Sequence, residues 1–380
     1  MRWGGNALPP QPRIKSGVAE KDPAPHGGGG DRAAAVTALD AASASASRRA
    51  PSTAQRAASF RVPAGILGGL ALLTAALFAA SLAIGPVALT HIAPDVARTI
   101  LVELRLPRAC LALLIGAGLG ASGAAVQGLT RNPLASPDVT GVSAGAALGA
   151  VLAAYYLPGS STVATAAGAL GGAALALALL LALAGRGASA ATLVLAGAGV
   201  SALLGALTSL ALSLAPSPYA LYDALTWLFG SLADRSLVHL AVAAPLIIVG
   251  TALLCSRPAA LDALALGEDV AATLGHRPRA APTRVLIGST LAVGGGVAVA
   301  GAIGFVGLIV PHLVRPLTGH LPGRAVLPSA LAGAALVLAA DLLTRAAPPG
   351  PELKLGVLTT LVGAPFLVAL VLRGRADAPR

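Results

Sequence analysis

LRLPRACLALLIGAGLGASGAAVQGLTRNPLASPDVTGVSAGAALGA, from Leu104 to Ala150, decides the fold. Residues 106–129 form an apolar run long enough to cross a hydrocarbon core of roughly 30 Å as a helix. Gly116-Ala117-Gly118-Leu119-Gly120 contains a GxxxG spacing, which lets membrane helices approach closely. Asn132-Pro133-Leu134 then forms a turn. Pro133 lacks an N–H and ends the helix, and Asn132 can bond the freed backbone. A second, Gly-rich run follows behind Pro137.

The pattern recurs along the chain. Spans are expected near 64–84, 106–129, 139–157, 162–184, 191–214, 236–255, 282–300, 303–319, 325–345 and 353–372. The seventh and eighth form one apolar stretch, divided at Gly301-Ala302-Ile303-Gly304. Of 380 residues, 56% are hydrophobic and 11% charged, against about 25% charged in a soluble domain. The expected fold class is all-α, a polytopic membrane protein of about ten transmembrane helices.

The net charge of +11 does not call for nucleic acid. Nine of the 26 Lys/Arg lie in residues 1–61, and most others sit between spans, as suits loops facing anionic lipid. Residues 1–61, with AASASASRRAPS and Gly27 to Gly30, are expected to be a disordered cytoplasmic tail. Arg48-Arg49 is a twin-arginine pair, but the apolar segment begins only near Ala64 and many spans follow. An uncleaved first helix fits better. An inside N-terminus puts eleven arginines on the cytoplasmic side: Arg131, Arg186, Arg257, Arg277, Arg279, Arg284, Arg315, Arg324, Arg373, Arg375 and Arg380. Six basic residues fall outside: Arg98, Arg105, Arg108, Arg235, Arg345 and Lys354. The asymmetry supports cytoplasmic N- and C-termini, hence an even number of spans, with 62–375 as the membrane domain and 376–380 as a cytoplasmic tail.

Ser256 to Arg279, SRPAALDALALGEDVAATLGHRPR, is the longest polar interruption after the first helix. Pro258 can open a short helix with Leu261, Leu264 and Leu266 as an apolar face. Gly267 breaks it, and Glu268 and Asp269 suit the start of a second. Such a pair is either a docking element or an ordinary interfacial loop.

The chain lacks a GxxxxGK[ST] phosphate loop, so energy must come from another chain or an ion gradient. Asp341 is the only acidic residue within an expected span, near its outer end, which weakens an ion-coupled carrier. No His/Cys/Asp cluster has metal-ligand spacing, and no triad or carboxylate pair suggests catalysis. The chain is therefore expected to be no enzyme and to carry no cofactor and no resident metal. Cys110 and Cys255 read as buried small hydrophobes, and His312 as a packing residue. Tyr155, Tyr156, Tyr219 and Trp227 read as interfacial belt residues.

The opening run closely resembles the FecCD family of ABC-importer permeases, which carries ferric siderophores, vitamin B12 and haem. The resemblance continues in order through LVLAGAGVSALLGALTSL (193–210), WLFGSLADRS (227–236), LDALALGEDVAATLG (261–275), GFVGLIVPHLVRPL (304–317) and ADLLTRAAPPGPELKLGVLTTLVGAPFLVALVLR (340–373), covering about 64–375. It implies an ABC importer type II permease fold of ten helices per subunit. It also implies pairing with a second copy or a related permease, two ATPase subunits below and a substrate-binding protein outside. The implied activity is inward movement of an iron–siderophore complex, with vitamin B12 or haem as cargo alternatives. An ion-coupled secondary transporter is the reading from another class.

The resemblance also implies residue roles. Arg105, Arg108 and Arg345 would receive acidic residues of the binding protein, or else anchor helix ends at the headgroups. Leu264, Ala265, Leu266, Gly267 and Glu268, within a coupling segment at 256–280, would fit a cleft on the ATPase. Asn132, Pro133 and Leu134 would form one part of a cytoplasmic gate. The loop Gly187-Ala188-Ser189-Ala190 would form the other, where Ser189 is its one polar side chain. That loop is smaller and less polar than the Ser/Thr-rich version of the vitamin B12 relative.

Overall fold

A computed structural model describes residues 62–85, 92–157, 159, 161–185, 188–276, 280–346 and 353–376. The expected tail at 1–61, Arg186 and Gly187 of the gate loop, and Arg277 and Arg279 lie outside the described residues. Every described residue falls within one compact unit, 61–380.

Among the described residues the structure is helical throughout: α1 (Ala64–Ala83), α2 (Pro94–Thr130), α3 (Val142–Tyr156), α4 (Thr162–Ala184), α5 (Ala190–Ser213), α6 (Pro218–Leu228), α7 (Leu237–Cys255), α8 (Pro258–Ala265), α9 (Glu268–Thr273), α10 (Ala280–Ala300), α11 (Val306–Val314), α12 (Pro322–Ala346) and α13 (Leu355–Ala376). Seven of these are long and apolar enough to cross a membrane, and three shorter apolar segments lie at the other three expected spans.

Helix α2 is the axis of the bundle. It packs on α12, α10, α7, α11 and α1. In the most apolar window of α2 and of α10, 78% of residues are buried, against 11% in α1, so α1 turns its leucines outward to hydrocarbon. The glycines explain the crossing of α2 with α12. A methyl group on Gly116 would lie 2.4 Å from the Gly333 carbonyl oxygen, and one on Gly120 2.0 Å from that of Ser329. Backbone-to-backbone contact of this kind replaces the hydrophobic drive that is absent between helices in lipid.

Three features depart from the expected spans. Helix α2 begins at Pro94, twelve residues earlier than expected, and widens into π-turns over Ile100–Arg105. Pro107 cannot donate to the carbonyl four residues before it, which loosens the turn there. The third and eighth spans are short: α3 has 15 residues and α11 has 9, the latter extended by a 3₁₀ turn at Arg315–Thr318. A 15-residue helix is about 22 Å long, less than the core thickness. Both start inside the bundle. A side chain at Gly307 would strike Pro137 and the carbonyl of Leu119, which lies near the middle of α2. The chain at 131–141 is therefore re-entrant, and the break at 301–305 places Phe305 at φ 67°. Irregular backbone at this depth is tolerated where it is buried in protein or lines a cavity. Finally, α6 was not expected; Ser217 caps it by accepting from the Ala220 N–H (3.1 Å), with Pro218 at its first position.

Candidate functional site

One end of α2 carries the expected docking arginines. The structure brings Arg105, Arg108 and Arg345 together, but turns them inward rather than toward solvent. Asp341, on α12 and wholly buried, accepts from Arg108 Nε at 2.8 Å. Its other oxygen lies 2.8 Å from Arg345 Nη2, as a close ion pair rather than an aligned hydrogen bond. Arg345 also donates to the Ser81 and Ile84 carbonyls (2.9 and 3.0 Å), to Ser81 Oγ and to the Asp341 carbonyl, so all five of its N–H groups are engaged. Arg105 donates to the Leu82 and Ala83 carbonyls at 2.9 and 2.7 Å. The last carbonyls of α1 have no partners within their helix, and guanidinium groups satisfy them. Two guanidiniums, of Arg108 and Arg345, thus share the Asp341 carboxylate, and Arg105 sits beside them on the end of α1. Arg108, with 16% of its side chain exposed against 5% for Arg345, is the more open of the two that pair with Asp341.

The far end of α2 meets the expected coupling segment. Arg131 Nε donates to the Leu264 carbonyl at 3.0 Å. Helices α8 and α9 form as expected, and Gly267 between them sits at φ 124°, ψ 154°, a backbone state nearly confined to glycine. The five residues divide. Leu264 is buried with Ala260, Ala263, Ala271 and Ala281 in a small core, while Ala265, Leu266 and Glu268 face outward around the half-buried Gly267. The expected apolar face is thus split, because Leu261 and Leu264 serve the interior and Leu266, 66% exposed, points away. Asp262 fixes the segment to α12 by accepting from the Gly323 N–H at 2.7 Å. Burial pushes its carboxyl above the ordinary value, against the opposing pull of that N–H and of Arg324.

Asn132 Oδ1 accepts from the Leu134 N–H at 2.9 Å, and Ser189 Oγ from the Thr192 N–H at 3.1 Å. Each bonds within its own segment, Asn132 in the turn after α2 and Ser189 at the start of α5. His312 meets Phe366 edge-on at 5.8 Å, a packing contact between α11 and α13. Tyr155 does more than sit at an interface: its hydroxyl donates to Asp223 at 2.9 Å and ties α6 to α3.

Between the two ends lies a cavity of about 760 Å³, lined by the 228–229 and 302–304 segments, α13 from Gly356 to Pro365, and Asp138. Among the described residues, Asp138 is the one charged group in the lining. Its carboxylate accepts from Ser143 Oγ at 2.6 Å and Ser136 Oγ at 3.4 Å, and its carbonyl from Ser201 Oγ at 3.1 Å. Sequence reading missed Asp138, since the third span began after it. The re-entrant course was signalled only by Pro133 and Pro137, four residues apart, around Leu134-Ala135-Ser136.

The model of the FecCD transport family matches residues 59–373. The cobalamin import permease BtuC of Halobacterium salinarum is 39% identical over 73% of this chain and 74% of its own length. The Fe(3+) dicitrate permease FecD of Escherichia coli is 40% identical over 73% and 86%. A solved structure described as an inward-facing metal-chelate type ABC transporter superposes with a TM-score of 0.74 at 33% identity, covering 81% of this chain and 99% of that one. Helices of this length beside an open apolar cavity, with the structural likeness, define a multi-pass membrane permease of the ABC-importer class. The chain belongs to the FecCD transport family.

Proposed function

We propose that this chain is the permease subunit of an importer that moves an iron–siderophore complex inward. Two separate ATPase subunits power it, a second permease completes the path, and an extracytoplasmic binding protein feeds it. The arrangement along α2 carries the reading: a basic cluster at one end, a cavity midway, and an outward-facing Leu266 tip at the other. The 25 residues from Leu106 to Thr130 separate the ends by about 37 Å, the thickness of a bilayer core and part of its headgroups. Acidic lobes of the binding protein dock at that end, with Arg108 the more exposed of the two arginines that pair with Asp341. Ala265, Leu266 and Glu268 enter the ATPase, with Leu264 as their anchor, and Asn132, Pro133, Leu134 and Ser189 line the inner gate. Both termini lie in the cytoplasm.

Cargo follows the relatives. The permeases for Fe(3+) dicitrate and ferric enterobactin of Escherichia coli are each 40% identical to this chain. Two cobalamin permeases at 39% and 41% support a corrinoid as the second reading. Uptake of labelled iron chelates, haemin and vitamin B12 by wild-type and deletion cells decides the matter. Loss of one iron–siderophore on deletion is the expected result, and loss of B12 alone would replace iron with a corrinoid.

A further inference from the structure

We infer that Asp138 sorts cargo by charge inside the cavity, favouring cationic and neutral chelates over anionic ones. The inference rests on the cavity being the transport path proposed above. An ionisable side chain at membrane depth is costly unless it faces water or a partner, so its presence marks a functional position. Asp138 meets that condition by lining the cavity beside Pro137, which lies at the level of Leu119, midway along the Leu106–Thr130 part of α2. Among the described residues, no lining side chain carries an opposite charge. The other lining residues are apolar or uncharged, Thr360 among them, and Thr360 Oγ1 is already bonded to the Gly356 carbonyl at 2.7 Å.

The carboxylate is also held in place. Ser143 Oγ grips one oxygen at 2.6 Å, and Ser201 Oγ holds the backbone carbonyl from α5. Three elements, the 3₁₀ turn at Pro137–Thr140, α3 and α5, thus position one negative charge. A fixed charge beside low-dielectric protein walls acts on a passing ion more strongly than the same charge in bulk water. A chelate's outer surface carries its net charge, so the cavity reads that charge without touching the iron.

Two measurements test this. The first reads the field alone, in the full-length chain with Cys110→Ala and Cys255→Ala. A thiol introduced as Thr360→Cys is modified with two methanethiosulfonates, one bearing a trimethylammonium and one a sulfonate. The cation-to-anion rate ratio is expected to fall about tenfold on Asp138→Asn and to be retained in Asp138→Glu, which keeps the charge. The second reads cargo in cells: Asp138→Asn should raise uptake of ferric dicitrate, or lower that of cationic ferrioxamine B, by about threefold or more relative to wild type. A rate ratio equal in Asp and Asn chains overturns the inference, and so does a changed ratio with unchanged chelate preference. Wild-type cells that import neither chelate nor any of the panel overturn the import reading itself, whereas import with indifferent variants removes only the role of Asp138.

Discussion

Asp341 is the residue on which most of the buried charge turns. Removing a buried partner leaves the other charge uncompensated, which costs about 3–5 kcal/mol. Asp341→Ala should therefore lower the thermal midpoint of the detergent-solubilised chain by many degrees, with Asp341→Asn intermediate because it still accepts from Arg108. Equal midpoints for all three chains would show that the arginines do not depend on it. Asp262 gives a pH prediction. Burial raises its pKa on folding, so the folded state holds the proton more tightly. The contribution of this carboxyl is then fully present below its unfolded value and is lost as pH rises through the raised folded value. Hydrogen exchange of α8 should speed up across that window, and Asp262→Asn, which retains an acceptor for the Gly323 N–H, should flatten the response. The sequence shows the kinds of residue at these sites and the end of the bundle they occupy. It hides their direction, because the partners of Arg105 and Arg345 are carbonyls of α1 more than twenty and more than two hundred residues away.

Two elements carry predictions of their own. Gly267 adopts a backbone state that strains any other residue by about 1–3 kcal/mol. Gly267→Val should leave the bundle folded, since its Cβ meets only Val270 at 4.0 Å, yet misplace the Leu266 tip. Cells carrying it should lose chelate uptake while keeping the protein in the membrane; normal uptake would detach the segment from coupling. Gly120→Leu attacks the fold instead, because its side chain would enter the Ser329 carbonyl, and the expected outcome is loss of folded protein. Long helices were legible from hydrophobic length, and α8 and α9 from Pro258, Gly267 and Glu268. The shortness of α3 and α11 was not, although the break before α11 falls at the Gly301–Gly304 division that the glycines suggest. Apolar residues run through both helices, and the close approach of Pro137, Gly307 and the Leu119 carbonyl is a tertiary contact that no local pattern announces.

For the molecule as a whole, the expectation of cytoplasmic termini can be tested from the outside. Thiols introduced as Val96→Cys and Leu266→Cys, both at exposed positions, should label from opposite faces of sealed vesicles. The Leu266 thiol should react only when the cytoplasmic face is open. Labelling of both from one face would invert the proposed arrangement. The outward-facing leucines of α5, Leu195 at 77% and Leu203 at 54% exposed, leave apolar surface for lipid and for the second permease proposed above.

The arginine cluster has a consequence for how the protein is made. Helix α12 carries Asp341 and Arg345, and each is unfavourable in a lone segment entering the bilayer. Its partners are the end of α1 and Arg108 on α2, which leave the ribosome first. A late segment thus meets waiting counter-charges. Expressed alone, α12 should insert poorly, and supplying α1 and α2 ahead of it should rescue insertion. The order of synthesis is then part of what makes this chain a membrane protein.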